Sequence, residues 1–193
     1  MNIALCGLMR SGKDAVAAHL VANYGYTRFA FGDGIREVTR RLYPEMYADG
    51  KKPRSLLQGF GQMARSFDSD VWVNDCFRRI SGAERLQRAN EEFYGEPTQP
   101  FRAILTDLRQ PNEYERCRAE GFVIIRVTAP DGVRIQRAID AKDTFNYADL
   151  VHSTESHVSS FVVDYEIENR GSLAELYTKV DEVLADLNAK KIT

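Results

Sequence analysis

The stretch Gly7-Leu8-Met9-Arg10-Ser11-Gly12-Lys13 limits the possible folds of this chain more than any other part of it. It has the form G-x-x-x-x-G-K, follows an apolar run (Asn2–Cys6) of strand length, and opens a segment of helical periodicity from Gly12 to Asn23. Glycines let such a loop wrap an anion closely, while successive N–H groups and the positive end of the helix dipole point at it. The lysine then reaches the β and γ phosphates of a nucleotide. A glycine-rich turn with a solvated lysine is the bland alternative, and it does not need a strand before it and a helix after it. The sequence therefore predicts a phosphate cradle for ATP built from Gly7, Arg10, Ser11, Gly12, Lys13, Asp14 and Ala15.

Asp14 stands where a serine or threonine is usual, and Ala15 brings no hydroxyl to replace it. A carboxylate there is a hard oxygen donor able to hold Mg2+ directly or through water. An acid favoured by the helix N-terminus is the other reading.

Further along, apolar runs of strand length alternate with helical periodicity, the pattern of a parallel sheet covered on both faces. The expected strands are Asn2–Cys6, Arg28–Phe31, Arg102–Thr106, Phe122–Val127 and Val163–Glu168. The expected helices run from Gly12 to Asn23, Gly34 to Leu42, Pro53 to Ser66, Val71 to Arg79, Pro111 to Glu120, Asp131 to Ala141 and Leu173 to Asn188. Ser81–Pro100 is polar, carries two prolines, and reads as a helix plus an exposed loop with no assigned task. At 193 residues the chain is expected to form one domain, 1–193, of α/β class. The predicted architecture is a three-layer P-loop NTPase fold, with a five-stranded, mostly parallel sheet and helices on both faces.

A formal charge of -2 argues against a surface devoted to nucleic acid. Cys6, Cys76 and Cys117 are odd in number and far apart, which suggests reduced thiols rather than disulfides or a zinc site. The apolar start is too short for a secretory segment or membrane span, so no membrane association and a cytoplasmic location are expected. Whether the chain acts as a homodimer is left open.

Gly12-Lys13-Asp14 resembles the loop of the deoxynucleoside monophosphate kinases of phages and some bacteria, and further segments agree in order. Phe29-Ala30-Phe31-Gly32-Asp33 with Arg36 looks like that family's second strand and the opening of its monophosphate region. Arg54-Ser55-Leu56-Leu57-Gln58-Gly59-Phe60-Gly61, continuing to Arg65, Asp70 and Trp72, is similar to its R-x-L-x-Q-x-x-G segment and tryptophan helix. Thr106-Asp107-Leu108-Arg109 with Asn112-Glu113 resembles its D-x-R motif. His152-Ser153-Thr154-Glu155 and Asn169-Arg170-Gly171-Ser172-Leu173 match its H-x-[ST]-E and N-x-G-[ST]-L patterns. The resemblance implies inserted substrate-binding helices at about 33–100, a lid at about 130–157, nucleotides as small-molecule partners, and ATP with Mg2+ as cofactors. It also implies that backbone around Asn169 and Gly171 lies near adenine. A strand-to-helix turn eased by Gly171 and capped by Ser172 is the plainer reading.

The residues themselves point the same way. Asp107 and Arg109 stand at the C-terminal end of the third expected strand, where open α/β sheets bind ligands. Asp107 is expected to hold magnesium-bound water or orient the acceptor, and Arg109 to clamp a substrate phosphate. An ion pair between them that only closes the strand end is the alternative. Asp33, Arg36, Arg54, Gln58, Arg65 and Trp72 are candidate substrate contacts, although solvated arginines and a core tryptophan are the commoner outcomes. Arg134 and Arg137, three residues apart on one helix face, could close over the phosphates. His19, His152 and His157 lack ligand or triad spacing, and no acidic partner is evident for them. Dephospho-coenzyme A kinase, and an ATP-binding regulator without acceptor chemistry, are the competing functions.

Overall fold

The computed structural model describes residues 1–48, 50, 52–95, 99–141 and 157–190. Its centre is a five-stranded sheet in the order β2-β3-β1-β4-β5, with every pairing parallel. The strands are β1 (Ile3–Cys6), β2 (Thr27–Phe29), β3 (Ala103–Leu108), β4 (Val123–Thr128) and β5 (Tyr165–Glu168). The helices are α1 (Lys13–Tyr24), α2 (Gly32–Leu42), α3 (Arg54–Phe67), α4 (Val71–Tyr94), α5 (Pro111–Ala119), α6 (Asp131–Asp140) and α7 (Leu173–Ala189).

Strand β1 shows why both faces of the sheet are covered. Ile3 and Leu5 face a cluster with Val16, Leu20, Leu176, Val180 and Leu184 of α1 and α7. Ala4 and Cys6 face the opposite cluster, with Val73, Phe77 and Ile80 of α4 and Cys117 of α5. Alternate side chains of a strand point to opposite faces, so a strand apolar at every position needs a helix layer on each side. The expected three-layer α/β architecture is what the chain forms.

Among the boundaries that shift from expectation, three are instructive. Strand β2 ends at Phe29, because the Phe31 N–H turns to the Asp107 carboxylate and α2 begins at Gly32. Strand β3 runs on to Leu108, which pairs with Cys6 and is fully buried, so Asp107 lies inside the strand. Helix α4 does not stop at Arg79 but continues to Tyr94, taking in most of the segment read as helix plus loop. That stretch holds no proline before Pro97 and is braced by i,i+4 pairs, Arg88 to Glu84 at 2.7 Å and Gln87 to Glu91 at 2.8 Å.

A small satellite core joins α2, α3 and α4 through Ile35, Leu57 and Trp72. No helix among the described residues is long and apolar enough to cross a membrane.

Candidate active site

The connection leaving β1 runs toward β2 at one side of the sheet, and that leaving β4 runs toward β5 at the other. The crevice between strands whose connections part in this way is where open α/β sheets take ligands. The Gly7–Lys13 loop opens from β1 at this crevice.

Both glycines of the loop are required by conformation and by space. Gly7 has φ +142° and Gly12 φ +112°. A Cβ would come within 2.2 Å of the Val127 carbonyl oxygen at Gly7, and within 2.2 Å of Asn169 Nδ2 at Gly12. Arg10 also takes a left-handed backbone, at φ +62°.

The loop is braced through its carbonyls. Asn169 Nδ2 donates to the Ser11 carbonyl at 2.8 Å, and Arg134 Nε donates to that of Met9 at 2.8 Å. Arg137 Nη2 donates to Asn169 Oδ1 at 3.0 Å, holding the amide from behind. In a trans peptide the N–H points opposite to the C=O, so these contacts turn the amides of Arg10 and Gly12 to the other side. Lys13 arches back over the loop, donating to the carbonyls of Gly7 at 2.7 Å and Leu8 at 2.8 Å. Ser11 is wholly buried, Ala15 packs against the core on the α1 side, and Asp14 is exposed in the first turn of α1.

These contacts give Asn169 a clear job. Its side chain is a strut under the loop, while Gly171 lies in the turn before α7, where Ser172 Oγ accepts from Glu175 N at 3.2 Å. Asn169→Ala removes the donor to Ser11 and the acceptor for Arg137 in a buried place. A loss of about 1–3 kcal/mol in stability is expected, and thermal melts check it.

The second half of the site leaves β3. Cys6 and Leu108 are paired across β1 and β3, so Gly7 and Arg109 are the next residues of neighbouring strands. Asp107 binds within the fold: its Oδ1 accepts from Phe31 N at 2.8 Å and its Oδ2 from Gly32 N at 3.1 Å. The carboxylate thus ties the first turn of α2 to the sheet, in place of the Asp107–Arg109 pair considered from sequence. Asp33 likewise accepts from Ala30 N at 2.8 Å and pairs with Arg28 and Arg36. Although burial opposes it, the hydrogen bond from Arg36 and the charges of Arg28 and Arg36 hold Asp33 below the usual carboxylate range.

Around Asp107 the cations gather. Lys52 is exposed by surface area, yet protein atoms around its ammonium, and then the nearby charges of Arg36, Arg54 and Arg109, hold it below the ordinary ammonium range, with Asp107 opposing. Arg54, Gln58 and Arg65 share one face of α3, at spacings of four and seven. Lys52, Arg54, Arg65 and Arg109 make no ion pair with any described carboxylate.

Trp72 falls outside this group, contrary to its candidacy as a base contact. It is 7% exposed, its Nε1 donates to the Gly61 carbonyl at 3.1 Å, and it packs with Ile35, Leu57 and Phe60. Lys52 and Glu113 were not singled out from sequence as site residues. The basic run Lys51-Lys52-Pro53-Arg54 ahead of α3 was the available signal for the first. Glu113 is 4% exposed, and its Oε2 accepts from Arg109 N at 2.8 Å and Gln110 N at 2.9 Å. Burial, then the Asp107 charge, push its carboxyl up to about 7 against those two amides and Arg65.

His19, for which no acidic partner was evident, finds one in the fold. Its Nε2 lies 2.7 Å from Asp181 Oδ1 and its ring stacks on Tyr177, a pin between α1 and α7. His152 and the H-x-[ST]-E segment lie outside the described residues, as does most of the expected lid, of which α6 is described.

No protein-family model and no curated protein matches the chain. Solved structures do. TT1252 from Thermus thermophilus is 23% identical with a TM-score of 0.55, the match covering 97% of each chain. Shikimate kinase from Acinetobacter baumannii, in complex with shikimate, is 16% identical with a TM-score of 0.58, covering 100% of this chain and 95% of that one. A sugar kinase from Janibacter sp. HTCC2649 is 14% identical with a TM-score of 0.52, covering 97% and 94%. At these identities the likeness is one of fold, and it agrees with the five-stranded sheet and its N-terminal phosphate loop.

Proposed function

We propose that the chain is a kinase that transfers the γ-phosphoryl group of ATP to a deoxynucleoside 5'-monophosphate. The carrying observation is the pairing of Cys6 with Leu108, from which the Gly7–Lys13 loop and Arg109 leave neighbouring strands at the C-terminal end of the sheet. Phosphoryl transfer asks a protein for alignment and for positive charge over the phosphates, rather than for covalent help. The loop amides and Lys13 meet the donor. Arg109, Arg54, Arg65 and Lys52, which no described carboxylate pairs, form a cationic wall suited to an acceptor that is itself an anion. A phosphate oxygen of the acceptor attacks the γ-phosphorus, the bond from that phosphorus to the β–γ bridging oxygen breaks, and ADP leaves.

Magnesium neutralises phosphate charge in such reactions. It keeps several waters and binds through one or two carboxylates plus substrate phosphates, so the exposed carboxylate of Asp14 beside Lys13 fits it without a preformed cage. Asp107 could reach it only through the lone pairs left by its two backbone contacts.

A neutral sugar acceptor would leave the cationic wall uncompensated, and shikimate, with its single carboxylate, brings less negative charge to it than the phosphate of a monophosphate. A screen of deoxynucleoside and ribonucleoside monophosphates, dephospho-coenzyme A and shikimate with Mg-ATP tests the proposal. Diphosphate formation from a deoxynucleoside monophosphate is expected. Product from dephospho-coenzyme A alone would move the reading to that kinase, and ATP binding with no acceptor at all would leave a regulator.

A further inference from the structure

Arg109 is the arginine best placed to meet an acceptor, yet no hydrogen bond or ion pair holds its side chain among the described residues. Its Nε is buried without a partner. The aim of the guanidinium therefore depends on the backbone from which it springs. That backbone is fixed by Glu113, the third residue of α5, whose Oε2 accepts from Arg109 N and Gln110 N at 2.8 and 2.9 Å. A capping box needs the second of these bonds only, and a glutamine serves in it as well as a glutamate. The bond to Arg109 is additional.

The groups facing Glu113 are Asp107 on β3, Arg65 on α3 and Cys117 on α5, besides the two amides. An acid raised in the folded state contributes stability that is present below its unfolded value and lost as pH rises through about 7. A carboxylate that costs stability at neutral pH, where a neutral amide would cap the helix, suggests a task beyond capping.

We infer that Glu113 is a positioning residue for the acceptor step: one carboxylate oxygen clamps the Arg109 and Gln110 amides and thereby sets the arginine that receives the acceptor's phosphate. This rests on the kinase reading of the same site. Steady-state kinetics of Glu113→Ala and Glu113→Gln, with Mg-ATP and the accepted monophosphate, test it. Glu113→Ala is expected to raise the acceptor KM about tenfold or more with the KM for ATP within twofold. Glu113→Gln, whose single carbonyl oxygen can still take both amides, is expected to recover most of that loss. In an Arg109→Ala background, Glu113→Ala should add little, because the two act as a unit.

Equal rises in both KM values, or additive effects with Arg109→Ala, would reduce Glu113 to a helix cap and overturn the inference. Should Glu113→Ala fail to fold, the wild-type and Glu113→Gln chains are compared with Glu113→Asp. Its shorter side chain should raise the acceptor KM, and an unchanged KM overturns the inference. Calorimetric titration with inorganic phosphate separates the two levels of reading. If the wild type phosphorylates nothing, the kinase proposal fails, while weaker phosphate binding in Glu113→Ala at unchanged Mg-ATP affinity still supports positioning, and equal phosphate binding overturns it.

Discussion

Lys13→Ala is expected to lower phosphoryl transfer by about three orders of magnitude or more while the chain stays folded. Lys13 is 8% exposed and its ammonium donates to the carbonyls of Gly7 and Leu8, so it already lies over the cradle in which a triphosphate would sit. Removing one fixed cation from a phosphoryl-transfer site costs about 2.7–4 kcal/mol of transition-state stabilisation, which converts to about 100- to 1,000-fold, and the loss of ATP affinity adds to it. The fold has less at stake. Both carbonyls belong to a loop at the C-terminal end of the central strand, and their loss of a donor is worth about 1 kcal/mol. Circular dichroism and a melting curve close to wild type, set against turnover near background, would bear this out. A variant with ordinary turnover would remove the phosphate cradle from the account. Asp14→Ala is the companion measurement: the side chain is exposed, so stability should change by less than about 0.5 kcal/mol, while turnover falls steeply if Asp14 holds the metal.

What could be read from sequence was local. Ile3–Cys6 is apolar at every position and the loop follows it at once, so strand, cradle and helix are specified within a single stretch of chain. The partners that give residues their work are distant. Asp107 meets Phe31 across 76 positions and Asn169 meets Ser11 across 158, and no periodicity encodes either encounter. At both residues the fold adds a structural task that spacing does not show: the Asp107 carboxylate ties down the first turn of α2, and the Asn169 amide props the loop after β1. Trp72 shows the converse. An aromatic on a helix between basic segments looks like a base contact until α2 and α3 close over it. The length of α4 was missed because Ser81–Tyr94 is polar, and its apolar spacing fades beyond Ile80, where the helix leaves the main core.

The sharpest test of the acceptor half is Arg109→Ala. Kinetics should show kcat/KM for the monophosphate falling about 100- to 1,000-fold, with the Kd for Mg-ATP within twofold of wild type. Lys52, Arg54 and Arg65 also lie unpaired by any described carboxylate, but Arg109 springs directly from β3, the neighbour of the strand that runs into the phosphate loop, and its backbone is clamped by a buried acid. A planar guanidinium so placed can give two parallel N–H bonds to one phosphate, which a lysine cannot reproduce, so Arg109→Lys should restore only a minor part of the loss. Lys52→Ala should cost less, because Lys52 is exposed and its charge is screened by salt. Its effect should shrink as ionic strength rises, while that of Arg109→Ala persists. If Arg109→Ala instead weakens Mg-ATP and leaves the acceptor's KM alone, Arg109 serves the donor, and the cationic wall on α3 must hold the acceptor without it.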